Sequence, residues 1–228
     1  MKYDLCIRIT EESDIKNALI TAKRLGWGGV GILTPQRKFF NLKEKFSSKN
    51  EDIDVVFGVY IKPKNTRDIR RLVRKIRMKT EIVAVEGNGL DTSRAALETR
   101  EVDILFLPWK DGKECMNYIM ARLATKNNVS IAFNFNDVLH SHGRSRTIVF
   151  SNMLSAAKLV RKFKSPFVIT SGAQSSWDIR SPSDLIAFGR VLGFGDPEIK
   201  KAMSDHIIKE NRKRLSDKWI MPGVEIEK

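Results

Sequence analysis

At 228 residues, 42% of them hydrophobic, the chain holds enough apolar material for one full core and too much for disorder over most of its length. No apolar run approaches the roughly 20 residues that span a bilayer, and Met1-Lys2-Tyr3-Asp4 leads into a strand pattern with no signal-peptide layout, so a cytoplasmic protein without membrane contact is expected. The net charge of +14 is concentrated: residues 61–80 carry nine basic side chains and one acidic, a density that repels itself unless a polyanion meets it.

Short, β-branched-rich runs alternate with helical patterns along the chain. Residues 5–9 form the first strand candidate, and Ile15, Leu19, Ala22 and Leu25 mark the helix that follows. Cys6 and Cys115 lie in apolar segments and read as buried free thiols. Gly26-Trp27-Gly28-Gly29 precedes the second strand, residues 30–33, which makes it a turn and not a phosphate cradle. The third strand candidate is residues 55–61.

The next segment holds the charge. Asn65 or Thr66 can cap a helix that runs to about residue 78, with Ile69, Leu72, Val73 and Ile76 as its apolar stripe. Arg67, Arg70, Arg71, Arg74, Lys75, Arg77 and Lys79 are expected on its other sides, and Lys62 and Lys64 extend the patch across the preceding strand end. Arginine suits bidentate phosphate contact. With few aromatics interleaved, the pattern fits backbone recognition of folded or duplex RNA, positioning without reading sequence. A solvated basic face, or one that pairs with an acidic protein, is the plainer alternative.

After the fourth strand, residues 82–85, Gly87-Asn88-Gly89-Leu90-Asp91 either offers amides to an anion, with Asp91 as helix cap, or is simply a tight turn. Arg94 is expected to open the following helix. Strand candidates at 104–107 and 129–133 come next. His140 and His142 have a spacing that suits one metal ion, but no carboxylate partner is evident and a surface loop is the better reading. Met153, Ala156, Ala157 and Val160 then mark a long helix.

The seventh strand, residues 167–169, runs into Thr170-Ser171-Gly172-Ala173 and then Trp177-Asp178-Ile179-Arg180. Ser181 as cap, Pro182 at the first helical position and Asp184 three residues after the cap make a helix start. The loop between therefore sits at the C-terminal end of a buried parallel strand, where α/β proteins place working groups. Arg180 is expected to meet phosphate with Asp178 orienting it, Trp177 to form a wall or stack on a base, and Ser171 and Gln174 to support the turn. A structural role, bracing the loop by a mutual or neighbouring ion pair, is the alternative. Asp196 and Pro197 mark a further helix start.

Repeated βα units imply right-handed crossovers and a parallel sheet. The expected fold is an α/β protein with a TIM-like (β/α) barrel, irregular at one position; an open doubly wound sheet is the alternative. One barrel domain with its C-terminal helices is expected over residues 1–215, and a tail over 216–228.

The segment from Thr170 to Asp184 resembles the Ser-x-Ala…Asp-x-Arg-x-Pro-x-Asp segment of the archaeal ribonuclease P protein component 3 family, whose eukaryotic counterpart is a thirty-kilodalton subunit. Val85-Glu86-Gly87-Asn88, Arg94, Val102-Asp103-Ile104-Leu105 with Pro108-Trp109, and Lys126-Asn127-Asn128-Val129 match further landmarks in the same order. Gly172 departs from the family pattern, where a second serine is common.

That resemblance implies a barrel related to the polymerase-and-histidinol-phosphatase (PHP) phosphoesterases, and a protein subunit of the ribonucleoprotein that removes the 5′ leader of precursor tRNA. It further implies that the RNA component performs hydrolysis with Mg²⁺, and that this chain binds no cofactor. Implied partners are ribonuclease P RNA, a small subunit of RNA-recognition-like fold in a heterotetramer, other ribonuclease P proteins and, indirectly, precursor tRNA. Phe39, Phe40, Phe194 and Trp219 are candidates for a protein interface, with core packing as the alternative. A PHP-type metal-dependent phosphoesterase acting alone is the alternative, but the His-x-His pair its first strand needs is replaced by Tyr3-Asp4-Leu5-Cys6.

Overall fold

The computed structural model describes residues 1–47, 53–110, 115–216, 218–221 and 224–225. Seven parallel strands follow one another in chain order: β1 (Tyr3–Ile7), β2 (Gly29–Thr34), β3 (Asp54–Ile61), β4 (Ile82–Glu86), β5 (Ile104–Phe106), β6 (Ser130–Asn134) and β7 (Phe167–Thr170). Helices α1 (Glu12–Arg24), α2 (Gln36–Ser47), α3 (Thr66–Ile76), α4 (Leu90–Leu97), α5 (Tyr118–Asn127), α6 (Phe135–Leu139) and α7 (Gly143–Phe163) lie between them. After β7 come α8 (Pro182–Val191), α9 (Asp196–Ala202) and α10 (His206–Arg214).

Alternation along each strand separates two apolar layers. Leu33, Val56, Tyr60, Ile82, Ala84, Ile104, Phe106, Ala132 and Val168 pack together inside the sheet. Their neighbours Ile32, Phe57, Val59, Val83, Val85, Leu105, Ile131 and Ile169 face the helices. Both faces are therefore dry, which is why these strands read as continuous apolar runs.

β1 and β7 end the ladder order, yet they meet. Asp4, fully buried on β1, accepts hydrogen bonds from the Thr170 and Ser171 hydroxyls and, at 3.0 Å, from the Ser171 amide. The Arg8 amide donates to the Ala173 carbonyl at 2.7 Å. A nearly closed seven-stranded barrel results, its seam held by the Asp4 carboxylate and this backbone bond.

The N-terminal end of the barrel is corked by α10. Ile208 enters the inner apolar layer. Around it Arg212 pairs with Asp54 at 2.7 Å and Glu81 at 2.6 Å, while Asn211 donates to Asp103 at 2.9 Å. Burial would raise the Asp54 carboxyl, but hydrogen bonds from Arg212 and Tyr3 outweigh it and hold the group below the usual carboxylate range.

Some expectations need correction. β1 begins two residues earlier than the apolar run suggested, because Asp4 belongs to the strand. Gly195, not Asp196, is the cap residue of α9. Part of the expected tail over 216–228 lies outside the described residues; within the rest, Trp219–Met221 pairs antiparallel with Val224–Glu225. Phe39 and Phe194 are core residues, leaving Phe40 exposed. No helix among the described residues is long and apolar enough to cross a membrane.

Candidate nucleic-acid interface and barrel mouth

The basic helix forms as its pattern dictates. Asn65 caps it by accepting from the Asp68 amide at 3.0 Å, and Ile69, Val73 and Ile76 are buried against the barrel. Arg67, Arg70, Arg71, Arg74 and Lys75 are exposed, as are Lys62 and Lys64 at the C-terminal end of β3. Few acids answer them: Arg71 pairs with Asp68 at 2.8 Å and Lys62 with Glu86 at 3.0 Å. Arg70 and Arg74 line a shallow groove with Glu98, Thr99, Arg100 and Glu101. Arg94, placed in the second turn of α4 and not at its start, pairs with Glu98 at 3.0 Å, so it joins the same surface.

Arg77 does not. It follows Ile69 and Val73 on the buried stripe at helical spacing; its side chain is 16% exposed, and its guanidinium pairs with Asp103 at 2.6 Å and donates to Asn211 at 3.1 Å. The expectation that it projects with the other arginines is wrong: it ties α3 to the barrel base. Nearby Arg214, desolvated and crowded by Arg77, falls to about 10.

In the loop after β7 the structural alternative holds for Asp178, with a neighbouring partner. Asp178 does not orient Arg180; it accepts from Gln174 and Ser175 amides at 3.1 and 3.0 Å and lies 2.7 Å from His140 Nε2. Burial would push its carboxyl up, but those partners, His140 foremost, hold it below its ordinary value. His140 therefore works as a loop brace. Arg180 donates to the carbonyls of Trp177 and Ile179 at 2.9 and 3.0 Å and lies over the Phe135 ring. Ser171 is buried on Asp4, whereas Gln174 is exposed and Trp177 is 87% exposed. Arg180 and Trp177 thus sit on this loop, apart from the α3 surface.

In the Gly87–Gly89 turn two amides are used within the fold: the Gly87 amide donates to the Phe106 carbonyl and the Asn88 amide to the Thr92 hydroxyl. Gly89, at φ +91°, caps α4 in place of Asp91.

The open end of the barrel holds a cavity of about 510 Å³, lined by Arg8, Tyr60, Lys62, Glu86, Lys110, Asn134, Asp137 and Gln174 among others. Arg8 and Asn134 escaped the sequence reading, although polar residues ending strands of a barrel are the usual signal. The donor set of a metal-dependent phosphoesterase is not assembled: among the described residues no three His, Cys, Asp or Glu side chains are grouped to hold an ion.

Comparison with known proteins agrees with this geometry. Ribonuclease P protein component 3 of Methanothermobacter thermautotrophicus is 31% identical over 208 residues, 89% of this chain and 85% of that protein. The protein of the same name from Methanocaldococcus jannaschii is 34% identical over 193 residues, 81% of this chain and 80% of that one. A chain in the cryo-EM structure of archaeal ribonuclease P with mature tRNA has the same fold, with TM-score 0.85 and 31% identity, covering 100% of this chain and 98% of that one. Residues 1–216 match the family described as RNase P subunit p30, and the chain belongs to that family.

Proposed function

We propose that this chain is a protein subunit of ribonuclease P, supporting the removal of 5′ leaders from precursor tRNA in the cytoplasm. Its part is to bind the RNA component and a partner subunit and to hold the RNA in its active fold. Phosphodiester hydrolysis and the Mg²⁺ it needs belong to the RNA. The small partner of RNA-recognition-like fold, a two-plus-two heterotetramer with it, and indirect contact with precursor tRNA through the other proteins complete the reading.

The observation that carries it is the exposed arginine face of α3. Among the described residues Arg67, Arg70 and Arg74 have no carboxylate within salt-bridge distance, and Arg71 and Arg94, themselves exposed, have only near neighbours on their own helices, pairs that are weak. Guanidinium groups left so placed gain most from a phosphate backbone. Family membership and the fold shared with a chain of an archaeal ribonuclease P support the assignment.

Reconstituted cleavage of precursor tRNA, with and without this chain, is the test. Omission should slow cleavage or raise the Mg²⁺ requirement. Replacing Arg67, Arg70 and Arg74 by glutamine should flatten the salt dependence of RNA binding by about 2 to 3 log units per decade of salt, the release expected from three phosphates. An unchanged slope together with unaffected cleavage would refute the reading.

A further inference from the structure

The barrel mouth carries chemistry that the arginine face does not use. Arg8 leaves the end of β1 with its guanidinium stacked over Tyr60 and Phe106, 5.5 and 5.2 Å from their ring centroids. One of its nitrogens donates to the Tyr60 hydroxyl at 3.1 Å, but its buried Nε has no partner among the described residues. Across the cavity Asn134, only 1% exposed, donates its amide nitrogen to Asp137 at 3.0 Å and leaves a buried Oδ1 without a partner. Buried polar atoms are rarely left unpaired, because each forfeits its hydration.

Glu86 Oε2, a third buried atom on this rim without a hydrogen bond, is met by Lys62 as an ion pair at 3.0 Å, and the other two define a complement. Arg8 Nε asks for an acceptor on a group that favours a cation, and Lys62 and Lys110 stand on the same rim. Asn134 Oδ1 asks for a donor. A phosphate joined to a hydroxyl- or amine-bearing body satisfies both, and the 510 Å³ volume falls in the range of small-molecule sites, about 300–1,000 Å³. We propose that the barrel mouth binds a single nucleotide, its phosphate against Arg8 and Lys62 and a sugar or base donor against Asn134. The occupant is either a free nucleoside monophosphate or one nucleotide of an RNA strand.

Titrating the full-length protein with AMP at low ionic strength tests this, read by calorimetry beside adenosine as the phosphate-free control. AMP should saturate at one per chain, and adenosine should bind at least about tenfold more weakly. Arg8→Gln should weaken AMP by a similar factor. Because Arg8 also braces Tyr60, Lys62→Gln, at a side chain 70% exposed, should give a loss in the same direction in a chain that keeps its fold. Arg70→Glu on α3 should leave AMP binding intact.

No saturable AMP binding, equal binding of adenosine, or a loss with Arg70→Glu as large as with Arg8→Gln would overturn the proposal. Displacement of bound AMP by ribonuclease P RNA would identify a strand nucleotide as the occupant, and joint binding a free one; either result supports the site.

Discussion

Asp4 tests how the seam between β1 and β7 is held. Its carboxylate is wholly buried and takes three donors: the Thr170 hydroxyl, the Ser171 hydroxyl and the Ser171 amide. Asp4→Ala strands all three, and at about 1 kcal/mol for each buried donor the loss should be about 3 kcal/mol. Asp4→Asn keeps an acceptor oxygen and removes a buried charge, so its loss should stay within about 1 kcal/mol.

The two variants also differ in pH dependence. Burial raises the Asp4 carboxyl above its usual range, and the bonds from Ser171 and Thr170 only partly offset this. The folded chain therefore holds the proton more firmly than the unfolded chain. Asp4 contributes most below the unfolded value of about 3.9, and that contribution declines as pH rises toward the folded value, by at most about 1.4 kcal/mol per unit. Asp4→Asn does not titrate, so the wild-type advantage over it should shrink on going from about pH 4.5 to 7.5. Urea denaturation of both chains across that range is the assay. Equal losses for the two variants, with a gap that ignores pH, would refute the reasoning.

Arg77→Gln should lower stability by about 2 kcal/mol, since Asp103 loses its buried cation, yet leave the salt slope of RNA binding unchanged; combined urea denaturation and salt-titrated binding would show it. Gly172→Ala should destabilise by about 2 kcal/mol in the same urea assay, for φ there is +64° and an added Cβ would lie 2.8 Å from that of Asn134. Arg212→Gln should cost about 1 kcal/mol after allowance for solvent screening. Asp54 is depressed in the fold, so that loss should be full at neutral pH, begin to shrink below about pH 4 and disappear only as pH falls through the lower folded value, which acid titration of the two unfolding midpoints would reveal.

The strands were legible because a sheet buried on both faces leaves apolar runs, and the capping box at Ser181 and Asp184 stood out by spacing alone. Asp4 was not legible. A carboxylate between Tyr3 and Leu5 argues locally against a strand, and the groups that justify it lie 166 and 167 residues away. Arg77 was misread although a signal existed: it continues the series Ile69, Val73 at four-residue spacing, whose side faces the barrel. Asp178 was placed on the right loop with the wrong partner, since His140 reaches it only through the fold. Arg8 and Asn134 are single polar residues at strand ends, and only the closed barrel brings them to one cavity.

The helix that corks the base is also the last large piece of the domain to be made. Until it arrives, Asp54, Glu81 and Asp103 share one rim with Arg77 as the only basic group described as pairing with any of them. Vectorial synthesis thus delivers an acid-rimmed barrel first and its balancing cation, Arg212, at the end. A nascent chain halted before α10 should be a looser, chaperone-dependent species, and it should tighten only once α10 has emerged.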